Sequence, residues 1–295
     1  MCGIIGYIGT KPVVPVLVDG LRRMEYRGYD SAGVALVGPQ GISLRRSAGK
    51  LINLENALRA EPVDGLYGIG HTRWATHGKP TENNAHPHAS DRLAVVHNGI
   101  IENFRELREE LRAAGHRFET ETDTEVVAHL VTDAMKKGLD AQAAIAASLP
   151  RLRGAFALAF LFEGEENLLI GARQGAPLAV GYGDGEMYLG SDALALAPFT
   201  DTITYLEDGD WVVLSRDRAE FRDAQGRIVQ RARQKSQASA FLIDKGNHRH
   251  FMAKEIHEQP EVVGRTLAHY LDMSRGRVAL PFDMPFDPRA LSGVT

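Results

Sequence analysis

The sequence predicts an α+β layered fold, and three observations predict it. A glycine-punctuated apolar stretch opens the chain, "CGIIGYIG". Helical patterns with capping residues fill the region after "HNGII". From Gly154 to about Val229 the pattern turns to short strands parted by Gly- and Asp-bearing turns. Strands, helices and strands therefore come in blocks. That order lacks the strict βαβ alternation a doubly wound parallel sheet requires.

Each element has its own reason. "CGIIGYIG" reads as a short buried strand. "PVVPVLVDGLRRMEY" places Val13, Leu17, Leu21 and Met24 at helical spacing, and Pro12 sits where a helix starts without losing a hydrogen bond. "SAGVALV" and "GISLRRSAG" alternate as strands across a "GPQG" turn, and "LINLENALRA" is a short helix. "YGIGHTRWATHG" and "RLAVVHNGII" read as two strands around the polar loop "KPTENNAHPHASD". Asn103 with Glu106 has capping-box spacing before "FRELREELRAAG", and Thr122 with Glu125 repeats it before "VVAHLVTDAMKKG". "DAQAAIAASLPRL" is the third helix of this block. Then come "AFALAFLF", "NLLIGAR", "LAVGYG", "MYLGSD", "ITYLEDGDWVVLS", "AEFRD" and "RIVQ", read as strands. From Gln234 the chain is polar and irregular, then helical, and finally Pro-rich.

Composition narrows the function class. Lys and Arg number 34 against 38 Asp and Glu, a formal net charge of −4, so no basic field favours a nucleic-acid partner. No apolar run approaches the ~20 residues that span a bilayer. Met1 runs into Cys2 without the basic and apolar segments of a signal peptide. A single cysteine in 295 residues forms no intramolecular disulfide, which fits a reducing compartment. The expectation is a cytoplasmic protein.

That cysteine is residue 2, and its position is the chemical clue. Once Met1 is removed, Cys2 carries a thiol of ordinary pKa about 8.5 and a free α-amine of about 7.7–8.0. The amine titrates near working pH and is tethered to the nucleophile it serves. Asn98 and Gly99 in "HNGII" offer an amide and a backbone N–H for an oxyanion. In "HTRWATHG", Arg73 has the fork that grips a carboxylate, with Thr76 and His77 as further hydrogen-bonding groups beside Trp74. Asp123 is expected in the first turn of a capped helix, where its ionised form suits an ammonium group. A free amino acid with a reactive side-chain acyl group, such as glutamine, satisfies these groups together.

"MCGIIGYIG", "RRMEYRGYDSAG", "HTRWATHG", "VVHNGIIEN", "ETDTE" and "LRGAFAL" resemble, in order, the glutaminase (class II glutamine amidotransferase) domain of the glutamine–fructose-6-phosphate aminotransferase (isomerising) family. "RHFMAKEIHEQP" is similar to that family's segment leading toward its sugar-phosphate isomerase half. The resemblance implies an N-terminal-nucleophile hydrolase fold, an αββα sandwich of two antiparallel sheets flanked by helices. It implies residues 2–233 as the glutaminase domain and 234–295 as a linker and the start of the second half. It implies Cys2 as nucleophile through a γ-glutamyl thioester, with Asn98 and Gly99 as the oxyanion site. Arg73 would hold the L-glutamine carboxylate and Asp123 its α-amine. By the same resemblance, Thr76 and His77 would belong to a loop that closes over substrate, and Trp74 would gate ammonia. Arg27 lies in a matching motif that would support the nucleophile, and His86 matches a family position of open role. No cofactor and no metal are implied, and the full enzyme is implied to be a homodimer. The isomerase half that would bind fructose 6-phosphate is not in this chain, so glutamine hydrolysis without sugar amination is expected.

Other readings stand beside this one. Amidophosphoribosyltransferase and asparagine synthetase share the terminal cysteine. A non-catalytic glutamine-binding regulatory domain would need no nucleophile. A metal-dependent hydrolase is suggested by His71, His77, His86, His88 and His97, although their spacing matches no standard ligand motif.

Overall fold

The computed structural model describes residues 2–165, 167–236, 248, 251–272 and 275–278. The chain divides into two compact units, Met1–Ile243 and Asp244–Thr295. The first holds β1 (Gly3–Ile8), α1 (Val13–Met24), β2 (Ser31–Gly38), β3 (Gly41–Ala48), α2 (Leu51–Ala60), β4 (Tyr67–Arg73), β5 (His88–Ser90) and β6 (Leu93–Ile101). It continues through α3 (Phe104–Ala113), α4 (Glu125–Lys136), α5 (Ala141–Ser148), β7 (Gly154–Phe162), β8 (Leu169–Gln174), β9 (Ala179–Tyr182) and β10 (Met187–Gly190). The short α6 (Ala193–Leu196), β11 (Thr202–Tyr205), β12 (Trp211–Leu214), β13 (Ala219–Arg222), β14 (Ile228–Val229) and β15 (Gln234–Lys235) complete it. The second unit holds α7 (Phe251–Tyr270), followed by β16 (Leu271–Asp272) paired with β17 (Arg277–Val278).

Two sheets form the first unit, in the orders β15-β11-β9-β10-β1-β4-β2-β3 and β14-β13-β12-β8-β7-β6-β5. Neighbouring strands within each run antiparallel. Strand alternation sorts side chains into three apolar layers. From β1, Ile4 and Ile8 face the other sheet, whereas Ile5 and Tyr7 face α1. From β7, Ala157, Ala159 and Leu161 fill the space between sheets, while Leu158, Phe160 and Phe162 meet α4 and α5. Three cores between four layers are the αββα sandwich expected from the sequence. Each fully buried Ile, Leu or Phe contributes about 1.5–3 kcal/mol to holding a layer on its neighbour.

The element boundaries depart from expectation where side chains find distant partners. "YGIGHTRWATHG" is a strand only to Arg73, and the rest is loop. "ITYLEDGDWVVLS" is two strands, β11 and β12, in different sheets. The loop "KPTENNAHPHASD" contains β5. Neither capping box forms. Asn103 spends its amide on the Arg151 carbonyl and the Arg153 N–H. Thr122 bonds His88, and Glu125 accepts from the N–H groups of Glu119 and Thr120. Helix α4 starts at Glu125, so Asp123 lies just before the helix, not in its first turn.

Candidate active site

Strand β1 is central in its sheet, paired with β4 on one side and β10 on the other. Gly3 lies opposite Thr72, so Cys2 emerges beside the end of β4. There the Trp74 N–H donates to Cys2 Sγ at 3.2 Å, and the thiol lies 3.5 Å from the Trp74 carbonyl. Burial pushes the thiol pKa up, and the Trp74 N–H and the Arg73 charge pull against it.

The turn that carries Trp74 is held from behind by "YRGYDS". Asp30 Oδ2 accepts from the Ala75 N–H at 2.7 Å, and the Asp30 N–H donates to the Arg73 carbonyl at 3.1 Å. A Cβ at Gly28 would come within 2.8 Å of the Arg73 carbonyl carbon and oxygen, so only glycine lets the two backbones approach. Asp30 and Gly28 were visible in the quoted motif, but nothing local in the sequence said what they touch.

Cys2, Trp74, Thr76, Asn98 and Gly99 line one cavity of about 340 Å³, completed by Ile100, Ala176, Pro177 and Ser191. Asn98 and Gly99 arrive on β6. The Asn98 Nδ2 donates to the Cys2 carbonyl at 3.1 Å. Gly99 has φ +122°, and a Cβ there would sit 2.0 Å from the Ala155 oxygen, so this backbone excludes other residues. Larger cavities of about 690 Å³ and 380 Å³ lie elsewhere in the first unit and contain none of these residues.

Arg73, His77 and Asp123 are not among the residues that line the Cys2 cavity. Arg73 is buried, and its guanidinium donates to the carbonyls of His77, Gly78 and Lys79. Its fork thus holds the 77–79 loop. Asp123 is also buried; its Oδ2 accepts from the Ile101 N–H at 2.8 Å, and its Oδ1 lies 4.0 Å from His77 Nδ1. His77 packs its ring edgewise against Phe104 at 5.3 Å.

His86 does not line the cavity. It belongs to a buried group with His71, His88 and His97, joined by ring contacts of 4.3–6.5 Å. Thr124 Oγ1 bonds both His86 Nε2 and His97 Nδ1 at 2.9 Å, and Thr122 Oγ1 bonds His88 Nε2 at 3.1 Å. Burial lowers all four pKa values, to about 3 for His71 and His88. Arg27 ends a 3₁₀ turn after α1, and its side chain lies outside the described residues.

Known proteins resemble this chain in sequence and in fold. Residues 71–198 match the model of the family described as a glutamine amidotransferase domain. The chain is 65% identical over 287 residues to a glutamine–fructose-6-phosphate aminotransferase [isomerizing] of Bradyrhizobium diazoefficiens, covering 97% of this chain and 47% of that protein. It is 64% identical over 278 residues to the protein of that name from Brucella abortus, covering 94% and 46%. The chain spans about half the length of these curated relatives and matches their N-terminal part. Among solved structures, the glutamine phosphoribosylpyrophosphate amidotransferase of B. subtilis is 26% identical with a TM-score of 0.66, over 77% of this chain and 50% of that one. A glutamine aminotransferase class-II domain protein from Silicibacter pomeroyi, 21% identical with a TM-score of 0.52, shares the fold over 75% of this chain and 99% of its own. The sandwich is that of the N-terminal-nucleophile hydrolases.

Proposed function

We infer that this chain, which carries a glutamine amidotransferase domain, hydrolyses L-glutamine to glutamate and ammonia through a covalent adduct on Cys2. In the longer protein the ammonia passes to fructose 6-phosphate on an isomerase half, giving glucosamine 6-phosphate. The observation that supports this reading best is the placement of the one thiol in a cavity that Asn98 and Gly99 also line.

With Met1 removed, the α-amine of Cys2 takes the thiol proton as Sγ attacks the side-chain amide carbon. The carbonyl electron pair moves onto oxygen, which accepts from the Asn98 amide and the Gly99 N–H. Collapse of this adduct breaks the C–N bond, and the α-ammonium returns its proton to the departing ammonia. Water then attacks the thioester and gives a proton to the amine. Sγ leaves with that proton, and glutamate is released.

Asp123 pairs with the substrate ammonium and Arg73 with its carboxylate. A carboxylate entering that fork replaces the loop carbonyls now held there, so glutamine binding and the position of residues 76–79 are coupled. Trp74, 47% exposed and lining the cavity, is read as the residue that passes ammonia onward. Residues 2–233 form the glutaminase domain and 234–295 lead toward the second half. The full protein works as a cytoplasmic homodimer without a cofactor.

Intact-mass analysis with a γ-diazoketone analogue of glutamine tests the core of this reading. One adduct at Cys2, on a chain lacking Met1, is the expected result. Cys2→Ala should take up no label and release no glutamate. Continued glutamate release by Cys2→Ala would overturn the nucleophile.

A further inference from the structure

We propose that His71 is the positioning residue that decides which end of the Asn98 amide faces Cys2. His71 Nε2 lies 2.9 Å from the His97 carbonyl oxygen and 3.0 Å from Asn98 Oδ1. A carbonyl oxygen only accepts, so Nε2 carries a hydrogen. That hydrogen is shared with the second neighbour, which must also accept. The amide oxygen of Asn98 therefore faces His71, and Nδ2 faces Cys2, where it donates to the Cys2 carbonyl at 3.1 Å. Turned by 180°, the amide would set its N–H against the Nε2 hydrogen and its oxygen against the Cys2 carbonyl. Two hydrogen bonds would become two repulsions, and the cavity would receive a lone pair where a developing oxyanion needs a donor.

The surroundings leave His71 no other arrangement. The residue is fully buried, its ring lies 4.3 Å from that of His86, and its Nδ1 has no hydrogen-bond partner among the described residues. Burial also keeps the ring neutral through the working pH range, and the charged ring would carry the Nε2 hydrogen as well. His97, whose carbonyl fixes the tautomer, directly precedes Asn98 in β6 and bonds Thr124, the neighbour of Asp123. Orientation of the oxyanion donor is thus built from below the cavity by a residue that never enters it.

This proposal rests on Asn98 as the oxyanion donor, and the experiment separates the two claims. Glutamine hydrolysis is measured for the wild-type chain, His71→Leu, Asn98→Ala and the double variant. His71→Leu should lower kcat by between roughly 10-fold and 10²-fold with KM little changed. On the Asn98→Ala background it should cost almost nothing further. His71→Gln, whose amide N–H can point the same way, should recover most of kcat. Additive losses beside a damaging Asn98→Ala overturn the positioning role alone. A harmless Asn98→Ala overturns the oxyanion reading and this proposal with it. A ¹⁵N–¹H correlation spectrum of the wild-type chain requires no variant to fold: it should show His71 as the Nε2–H tautomer, and an Nδ1–H tautomer sinks the proposal.

Discussion

The rim of the Cys2 cavity and the histidine floor buried beneath it, which does not line it, follow opposite rules. On the rim, Trp74 and Thr76 are exposed, and Trp74 leans edgewise on the half-exposed Tyr29 at 5.9 Å. On the floor, His71, His86, His88 and His97 are each 5% exposed or less. Their ring atoms bond threonine hydroxyls, a backbone carbonyl and the Asn98 amide. The difference divides labour physically. Dipoles meant to meet a developing charge are worth most where water cannot reorganise around them. Groups that must let a substrate in and out belong on loops that water already reaches.

Acid should damage the floor most. His71, His86 and His88 are held neutral in the folded chain, whereas unfolded histidine titrates near 6.5. The unfolded state therefore binds more protons as pH falls below about 6.5, and stability is lost from there down toward the folded values. All three rings act in the same direction, and His97 adds to them. Glu125, held near 2 in the folded chain by its hydrogen bonds, adds acid sensitivity only below about pH 4.5. Urea midpoints at pH 7 and pH 5 read this directly, and equal midpoints would contradict it.

Asn98→Ala comes next, where floor and cavity meet. It should lower kcat by roughly 10²–10³-fold. A loss confined to KM would assign Asn98 to ground-state binding. Arg73→Lys, at the boundary with the rim, should raise the glutamine KM by about tenfold, because an ammonium cannot reproduce the fork that now holds the 77–79 loop. An unchanged KM would remove Arg73 from the carboxylate site. The smallest effect belongs to the rim itself. Trp74→Ala leaves the backbone N–H that touches Cys2 in place, so hydrolysis should change by no more than about threefold. A larger fall would mean that the indole shapes the thiol's surroundings as well as the mouth.

Local pattern carried much of the fold. The alternation in "SAGVALV" and "GISLRRSAG" is the β2–β3 hairpin, and the apolar periodicity after Pro12 is α1. The cavity residues were legible too, because Cys2, Trp74, Thr76, Asn98 and Gly99 sit in distinctive short motifs. What stayed hidden depends on partners far along the chain. Thr122 resembled a helix cap until His88, 34 positions earlier, proved to hold its hydroxyl. Asn103 resembled another until Arg151 and Arg153 took both ends of its amide. The five histidines suggested metal ligands by number alone. Only three dimensions show four of them gathered in tilted and edge-on ring contacts, with His77 against Phe104 instead.

The place of β1 between β4 and β10 also fixes an order of events during synthesis. The strand that follows Cys2 is made well before its second neighbour, which begins only at Met187. At about 5–20 residues per second, that neighbour arrives roughly 10–40 s later. Through this interval β1 lacks one of its two ladders. Closure of the sheet beside Cys2 thus waits on a strand made late in this unit.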